Sequence, residues 1–114
     1  MSSSDEAWMG CADIFSGRPN PCWVIEERVV ASLMDLWNRM EGHSEPFPNR
    51  AVLGYRGCHL KGPRNRTWFA YHGVVTFIQN ELSESRHDRE RLFEKTLLAS
   101  APKGILPPPL PRFL

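Results

Sequence analysis

The sequence predicts an α+β domain: a small antiparallel sheet of four to five strands, two helices and an extended Pro-rich C-terminal tail. Three observations carry that expectation. Between Glu26 and Met40 apolar residues recur every three or four positions, the period of a helix with one buried face. Between Thr67 and Ile78 the chain is dense in β-branched and aromatic residues, as strands are. Sheet-forming stretches and helices are segregated along the chain, the order of an α+β rather than a parallel α/β fold.

Residues 1–7 are expected to be a frayed N-terminus. Trp8–Phe15 and Cys22–Ile25 read as two short strands. Ser16-Gly17-Arg18-Pro19-Asn20-Pro21 between them holds two prolines and a glycine, which forbid regular structure and stiffen a loop. In the first helix Val29, Val30, Leu33, Met34, Leu36, Trp37 and Met40 form the apolar stripe. Glu26 and Glu27 suit its positive end, and Gly42 is the expected left-handed stop. His43–Asn49 is a loop by its two prolines.

Ala51–Leu60 reads as a strand interrupted by Gly54 and Gly57, which mark a bulge or a place where another group approaches the backbone closely. Lys61–Arg66 is a basic turn. In the strand-rich stretch Thr67–Ile78, Gly73 bends the strand or splits it in two. A second helix is expected from Ser85, with Asp88 as its capping-box partner, to about Ser100. Its first half, Arg86–Arg91, then forms a solvated face. Five of the ten prolines lie in 102–114, so Pro107–Pro111 is read as polyproline II. One domain over 8–101 followed by a tail over 102–114 accounts for the whole pattern.

With 114 residues, 41% hydrophobic and 24% charged, the chain suits one globular domain. It has no apolar run near the ~20 residues that span a bilayer, and the first residues lack the basic and apolar regions of a signal peptide. The cytoplasm is therefore the expected compartment. An odd cysteine count, Cys11, Cys22 and Cys58, favours free thiols over a disulfide framework, although a Cys11–Cys22 bridge across a hairpin is conceivable.

The formal charge of +1 removes the simplest argument for nucleic-acid binding. It conceals two halves: residues 1–57 carry net −3 and residues 58–114 net +4. Lys61, Arg64 and Arg66 precede Trp68, Phe69 and Tyr71, a pattern able to hold single strands, yet no nucleic-acid motif accompanies it. No metal site is expected, since Cys-x-x-Cys, His-Glu-x-x-His and closely spaced His pairs are all missing. No cofactor is indicated.

Two strings carry chemistry. In the first, Arg18 is a planar cation on a proline-stiffened loop, suited to a carboxylate or phosphate, with Asn20 and Trp23 beside it. The structural alternative is a hairpin connection with Arg18 and Asn20 on backbone groups and Trp23 in the core. In the second, Leu53-Gly54-Tyr55-Arg56-Gly57-Cys58-His59, Arg56 needs a partner: Asp13, or an anion shared with Arg18. Together, Phe-Ser-Gly-Arg-Pro-Asn-Pro-x-Trp and Leu-Gly-Tyr-Arg-Gly resemble a pattern in small hypothetical proteins. The resemblance spans the first half of the chain. It implies that Arg18, Asn20, Trp23, Tyr55 and Arg56 act as one unit, and it implies no activity.

Three functional readings fit. The leading one is a small binding or accessory domain recognising an anionic or polar small molecule or protein through Arg18 and Arg56. The second is a small enzyme, with Cys58 as nucleophile and His72 as base, or with Tyr55 or His72 in acid–base work. The third is an assembly module in which the Pro-rich tail straps two copies into a homodimer.

Overall fold

A computed structural model of the chain describes residues 7–14, 19–42 and 55–106. In these residues six strands form one sheet, antiparallel throughout: β1 Met9–Ala12, β2 Cys22–Val24, β3 Cys58–Gly62, β4 Arg66–Tyr71, β5 Val74–Gln79 and β6 Leu82–His87. Their order across the sheet is β2-β1-β3-β4-β5-β6. Two helices, α1 Glu27–Arg39 and α2 Leu92–Ala99, complete the α+β fold.

The sixth strand is the main departure from expectation. Ser85 and Asp88 look like a capping box, but Leu82–His87 pairs with β5 through a two-residue turn at Asn80-Glu81, where Asn80 has φ 55°. Asparagine tolerates that left-handed position. Thr76 and Ser85 hydroxyls then meet across the strands at 2.7 Å. Gly73 splits the preceding stretch, as one of the two sequence readings had it, with His72 and Gly73 forming the loop between β4 and β5.

Helix α1 follows the apolar stripe closely, burying Leu33 and Trp37. It does not stop at Gly42. The chain turns to extended backbone at Met40, whose N–H bonds the Trp37 carbonyl, and Gly42 forms a bridge with Arg86 of β6. Arg86 also lies over the Trp37 ring at 4.1 Å and donates to the Trp37 carbonyl. A cation on an aromatic face thus seals the outer end of the sheet against α1.

Both helices pack on one sheet face. The cross-strand row Ala12, Cys58, Ala70, Val75 and the row Gly10, Leu60, Trp68, Phe77 provide that face. Leu33 and Trp37 of α1 and Phe93, Leu97 and Leu98 of α2 close the core over it. Burying each of Leu33, Phe93 and Leu97, all at 0% exposure, contributes about 2–3 kcal/mol. Gly10 sets the distance of α2: a Cβ there would stand 3.0 Å from Leu97 Cδ1 and 3.0 Å from Ile25 Cδ1.

The free-thiol expectation fails for two of the three cysteines. Cys11 and Cys22 form a disulfide, and Cys58 is the free one. Ala12 N–H bonds Pro21 and Ile25 N–H bonds Trp8, so the opposed pair Cys11 and Cys22 falls on a non-hydrogen-bonded site of the ladder. Such sites bring side chains closest, and here the Cα atoms are 4.1 Å apart. Residues 102–106 form a turn, with Ile105 and Leu106 against the core. The polyproline segment, residues 107–114, lies outside the described residues, as do Arg18 and Gly54.

Candidate functional site

At one end of the sheet, β1 runs out beside the start of β3, and the residues after β1 bond Asn20 of the first string and Arg56 and Gly57 of the second. Asp13 N–H donates to the Gly57 carbonyl and Arg56 N–H donates to the Asp13 carbonyl, both at 2.8 Å. The ladder therefore continues past the named strands. Gly57 has φ 108°, and a Cβ on it would stand 2.7 Å from the Ala70 carbonyl oxygen. The expectation of a close backbone approach holds at this glycine. Its conformation and its space both exclude a side chain.

The base of the Arg18 loop is tied as well. Asn20 Oδ1 accepts from Ile14 N–H at 2.8 Å, and the disulfide clamps the strands just below. Asp13 is buried, and its carboxylate faces His59, whose Nδ1 lies 3.2 Å from Oδ1. Asp13 thus serves Arg56 through backbone and His59 through side chain. Trp23 is a core residue, 4% exposed, with Nε1 donating to Ser100 Oγ at 2.9 Å.

On the helix side of the same sheet end lies a buried polar cluster. Glu94 of α2 is 0% exposed. Its Oε2 accepts from the Tyr55 hydroxyl, and its Oε1 accepts from Arg91 Nε at 3.1 Å. A buried carboxylate is tolerated because both oxygens are satisfied and one partner is a cation. Asp88, also buried, takes Phe93 N–H on Oδ1 and Glu94 N–H on Oδ2, satisfying the open donors of the first turn of α2. Glu90 and Arg91 reach this arrangement with φ of 56° and 58°, the left-handed region. Cys58 is fully buried, its thiol next to Tyr55 and 3.9 Å from the Glu94 carbonyl.

These surroundings fix the protonation chemistry. Burial pushes the Cys58 thiol well above its ordinary range, and neighbouring Glu94 adds to the effect. Burial also drives Tyr55 far up, reinforced by Cys58 and Glu94. The Asp88 carboxyl is raised because desolvation outweighs its two backbone N–H bonds. Hydrogen bonding to Glu94 raises Arg91 further. The cluster therefore holds Tyr55 and Cys58 in their neutral forms.

Of the sequence-selected residues, Tyr55 and Cys58 come together, while Arg56, Asn20 and Trp23 occupy neighbouring segments. His72 is exposed on the β4–β5 turn. Its ring stands 4.2 Å from that of Tyr71, which in turn lies 6.1 Å from Tyr55. The basic turn offers no open stacking platform at Trp68 or Tyr71, since both are buried. Arg66 instead covers the Trp8 and Trp68 rings at 5.1 and 5.8 Å.

Assigning 86–91 to a solvated helical face misses Arg91, reading Asp88 as the partner of Ser85 misplaces its cap, and Glu94 is not singled out at all. A signal was present: positions 93, 94, 97 and 98 share one helical face, so Glu94 sits among core positions. Two grooves flank α2, one of about 710 Å³ lined by Val24, Val29 and Ala99, the other of about 420 Å³ lined by Leu36, His87 and Leu92. Among the described residues no group of three His, Cys, Asp or Glu is placed to hold a metal, and no helix is long and apolar enough to cross a membrane. Compared with protein-family models, curated proteins and solved structures, the chain matches none.

Proposed function

We propose that the chain is a small binding domain that recognises an anionic or polar ligand or partner through Arg18 and Arg56. The observation that supports this reading is the hydrogen-bonded junction at one sheet end. Ile14 and Asn20, on either side of the Arg18 string, are joined to each other, and Asp13 is joined to both Arg56 and Gly57. Segments fixed in this way lose little entropy when a ligand arrives, and guanidinium groups suit carboxylate and phosphate oxygens. The enzyme reading is weaker. A nucleophilic thiol must be exposed and poised to ionise, whereas Cys58 is buried with its pKa raised.

The test is a titration of ¹⁵N-labelled protein with inorganic phosphate and, separately, with succinate. Shifts of the Ile14, Arg56 and Gly57 amides that saturate, and that are lost in Arg18→Lys and Arg56→Lys at unchanged thermal midpoint, are the expected result. Variants that melt much earlier, in a protein that binds neither anion, would make the arginines structural.

A further inference from the structure

We propose that Cys11 and Cys22 form a dithiol–disulfide exchange centre. Cys22 is the thiol that meets an external dialkyl disulfide, and Cys11 is the thiol that closes on it. His59, held by Asp13, takes the Cys11 proton. This goes beyond the binding reading and does not depend on it. Ala12, Trp23, Cys58 and Leu60 pack into the core under the helices, so by strand alternation Cys11, Cys22 and His59 share the other sheet face.

The two cysteines are presented differently. Cys22 is exposed on β2, the strand at the sheet edge, whereas Cys11 is 4% exposed on β1, between β2 and β3. A partner in solution therefore meets Cys22 first. Cys11 has a histidine beside it instead: His59 of β3 is its direct cross-strand partner. Opposed residues of an antiparallel pair have Cβ atoms about 4.5–5.5 Å apart, a gap that a thiol and an imidazole span. His59 is itself fixed, with Nδ1 3.2 Å from Asp13 Oδ1 and its ring 5.3 Å from that of Phe69. An ionised carboxylate only accepts, so Nδ1 carries the hydrogen and Nε2 is left to accept a proton. The frame around the bridge has its own anchors. Ala12 pairs with Cys58, Asp13 bonds Gly57 and Arg56, Trp23 bonds Ser100, and Ile25 bonds Trp8. Opening the bridge, whose Cα atoms are 4.1 Å apart, thus leaves the two thiols opposed and able to close again. Cys58 is fully buried and stays out of the exchange.

The reduced centre exchanges in two steps. Cys22, its proton lost to solvent, attacks one sulfur of the external disulfide. A mixed disulfide forms on Cys22, and the first thiolate departs and takes up a proton. Cys11 then gives its proton to His59 Nε2 and attacks Cys22 Sγ. The mixed disulfide breaks, the Cys11–Cys22 bond forms, and the second thiolate leaves and is protonated. His59 returns its proton to solvent. The protein loses two electrons and two protons, and the external disulfide gains both as two thiols. With a dithiol as co-reactant the same steps run in reverse.

The test mixes the full chain, reduced and desalted, with oxidised glutathione and follows acid-quenched samples by mass spectrometry. Cys11→Ser is expected to accumulate a stable glutathione adduct on Cys22. Cys22→Ser should form its adduct at least about tenfold more slowly, because Cys11 is buried. The parent should pass through the adduct to the closed disulfide, with a dispersed amide spectrum in both redox states. Equal adduct rates in the two serine variants overturn the centre, as does loss of the folded spectrum on reduction. His59→Asn should slow closure at least about tenfold, with the thermal midpoint and the rate of adduct formation on Cys22 unchanged. Closure at the parent's rate in that variant overturns the role of His59. The same role is read without substitution in deuterium oxide, where closure in the parent should slow, as a step that moves a proton does. An unchanged rate there overturns it equally.

Discussion

The Tyr55 hydroxyl is hydrogen-bonded to the carboxylate of Glu94, tying the segment before β3 to α2 across 39 positions of sequence. Glu94 is wholly buried, so this bond and its pair with Arg91 are what make the charge tolerable. Tyr55→Phe leaves one carboxylate oxygen without that donor. The expected cost is about 1–3 kcal/mol, read as a lower urea midpoint at unchanged slope. Glu94→Ala should cost more, since it also opens a cavity and strands Arg91. A Tyr55→Phe protein as stable as the parent would show that the pair does not support the fold.

How much of this was legible in the sequence follows from what each signal depends on. Helix α1 was readable because its stripe from Val29 to Met40 is long and local. Gly57 announced a close contact, since a glycine within a strand pattern has few other uses. β6 was not readable as a strand: in Leu82–His87 one apolar residue stands against two serines, a glutamate, an arginine and a histidine, and only pairing with β5 fixes it. Its capping-box pattern was genuine as chemistry but misplaced, because Asp88 caps the turn at Phe93 and Glu94 instead of a helix starting at Ser85. The Cys11–Cys22 bridge depended on register, and a count of three cysteines argued the other way. The Tyr55–Glu94 pair is a long-range contact that no local pattern encodes.

Asp88 gives a prediction with a defined pH sign. Asp88→Ala frees two backbone N–H groups at the start of α2, and the loss of such a cap costs about 1–2 kcal/mol. Because the folded carboxyl is raised above its ordinary 3.8, the folded state holds this proton more tightly than the unfolded chain does. The contribution of Asp88 is then greatest below its unfolded pKa and declines as pH rises through the folded one. Urea midpoints should therefore show a wider gap between parent and Asp88→Ala at low pH than at neutrality. A gap that widens with rising pH would contradict the assignment.

Gly57→Ala tests the junction that underlies the binding proposal. The backbone there has φ 108°, and a methyl group would stand 2.7 Å from the Ala70 carbonyl oxygen. Strain and steric conflict together should cost about 2–4 kcal/mol. In the amide spectrum the largest shifts are expected at Asp13, Arg56 and Ala70. Gly42→Ala is the control, because a Cβ at Gly42 meets nothing within 4 Å. Equal effects of the two substitutions would refute the close approach.

Cys58 separates the binding and enzyme readings most directly. Its side chain is buried between β3 and α2, beside Tyr55 and Glu94, and burial holds its pKa well above the ordinary 9.0. A thiol in that state reacts with iodoacetamide only after the chain opens, so labelling at neutral pH should follow unfolding rather than a thiolate titration. Alkaline conditions sharpen the point. Above about pH 9 the unfolded chain releases the thiol proton that the folded protein retains, so stability should fall as pH rises beyond that value. Cys58→Ala should flatten that part of the profile while leaving the phosphate titration unchanged. Fast labelling of native protein at neutral pH would instead describe an accessible nucleophile, and would move the weight of the argument to the enzyme reading.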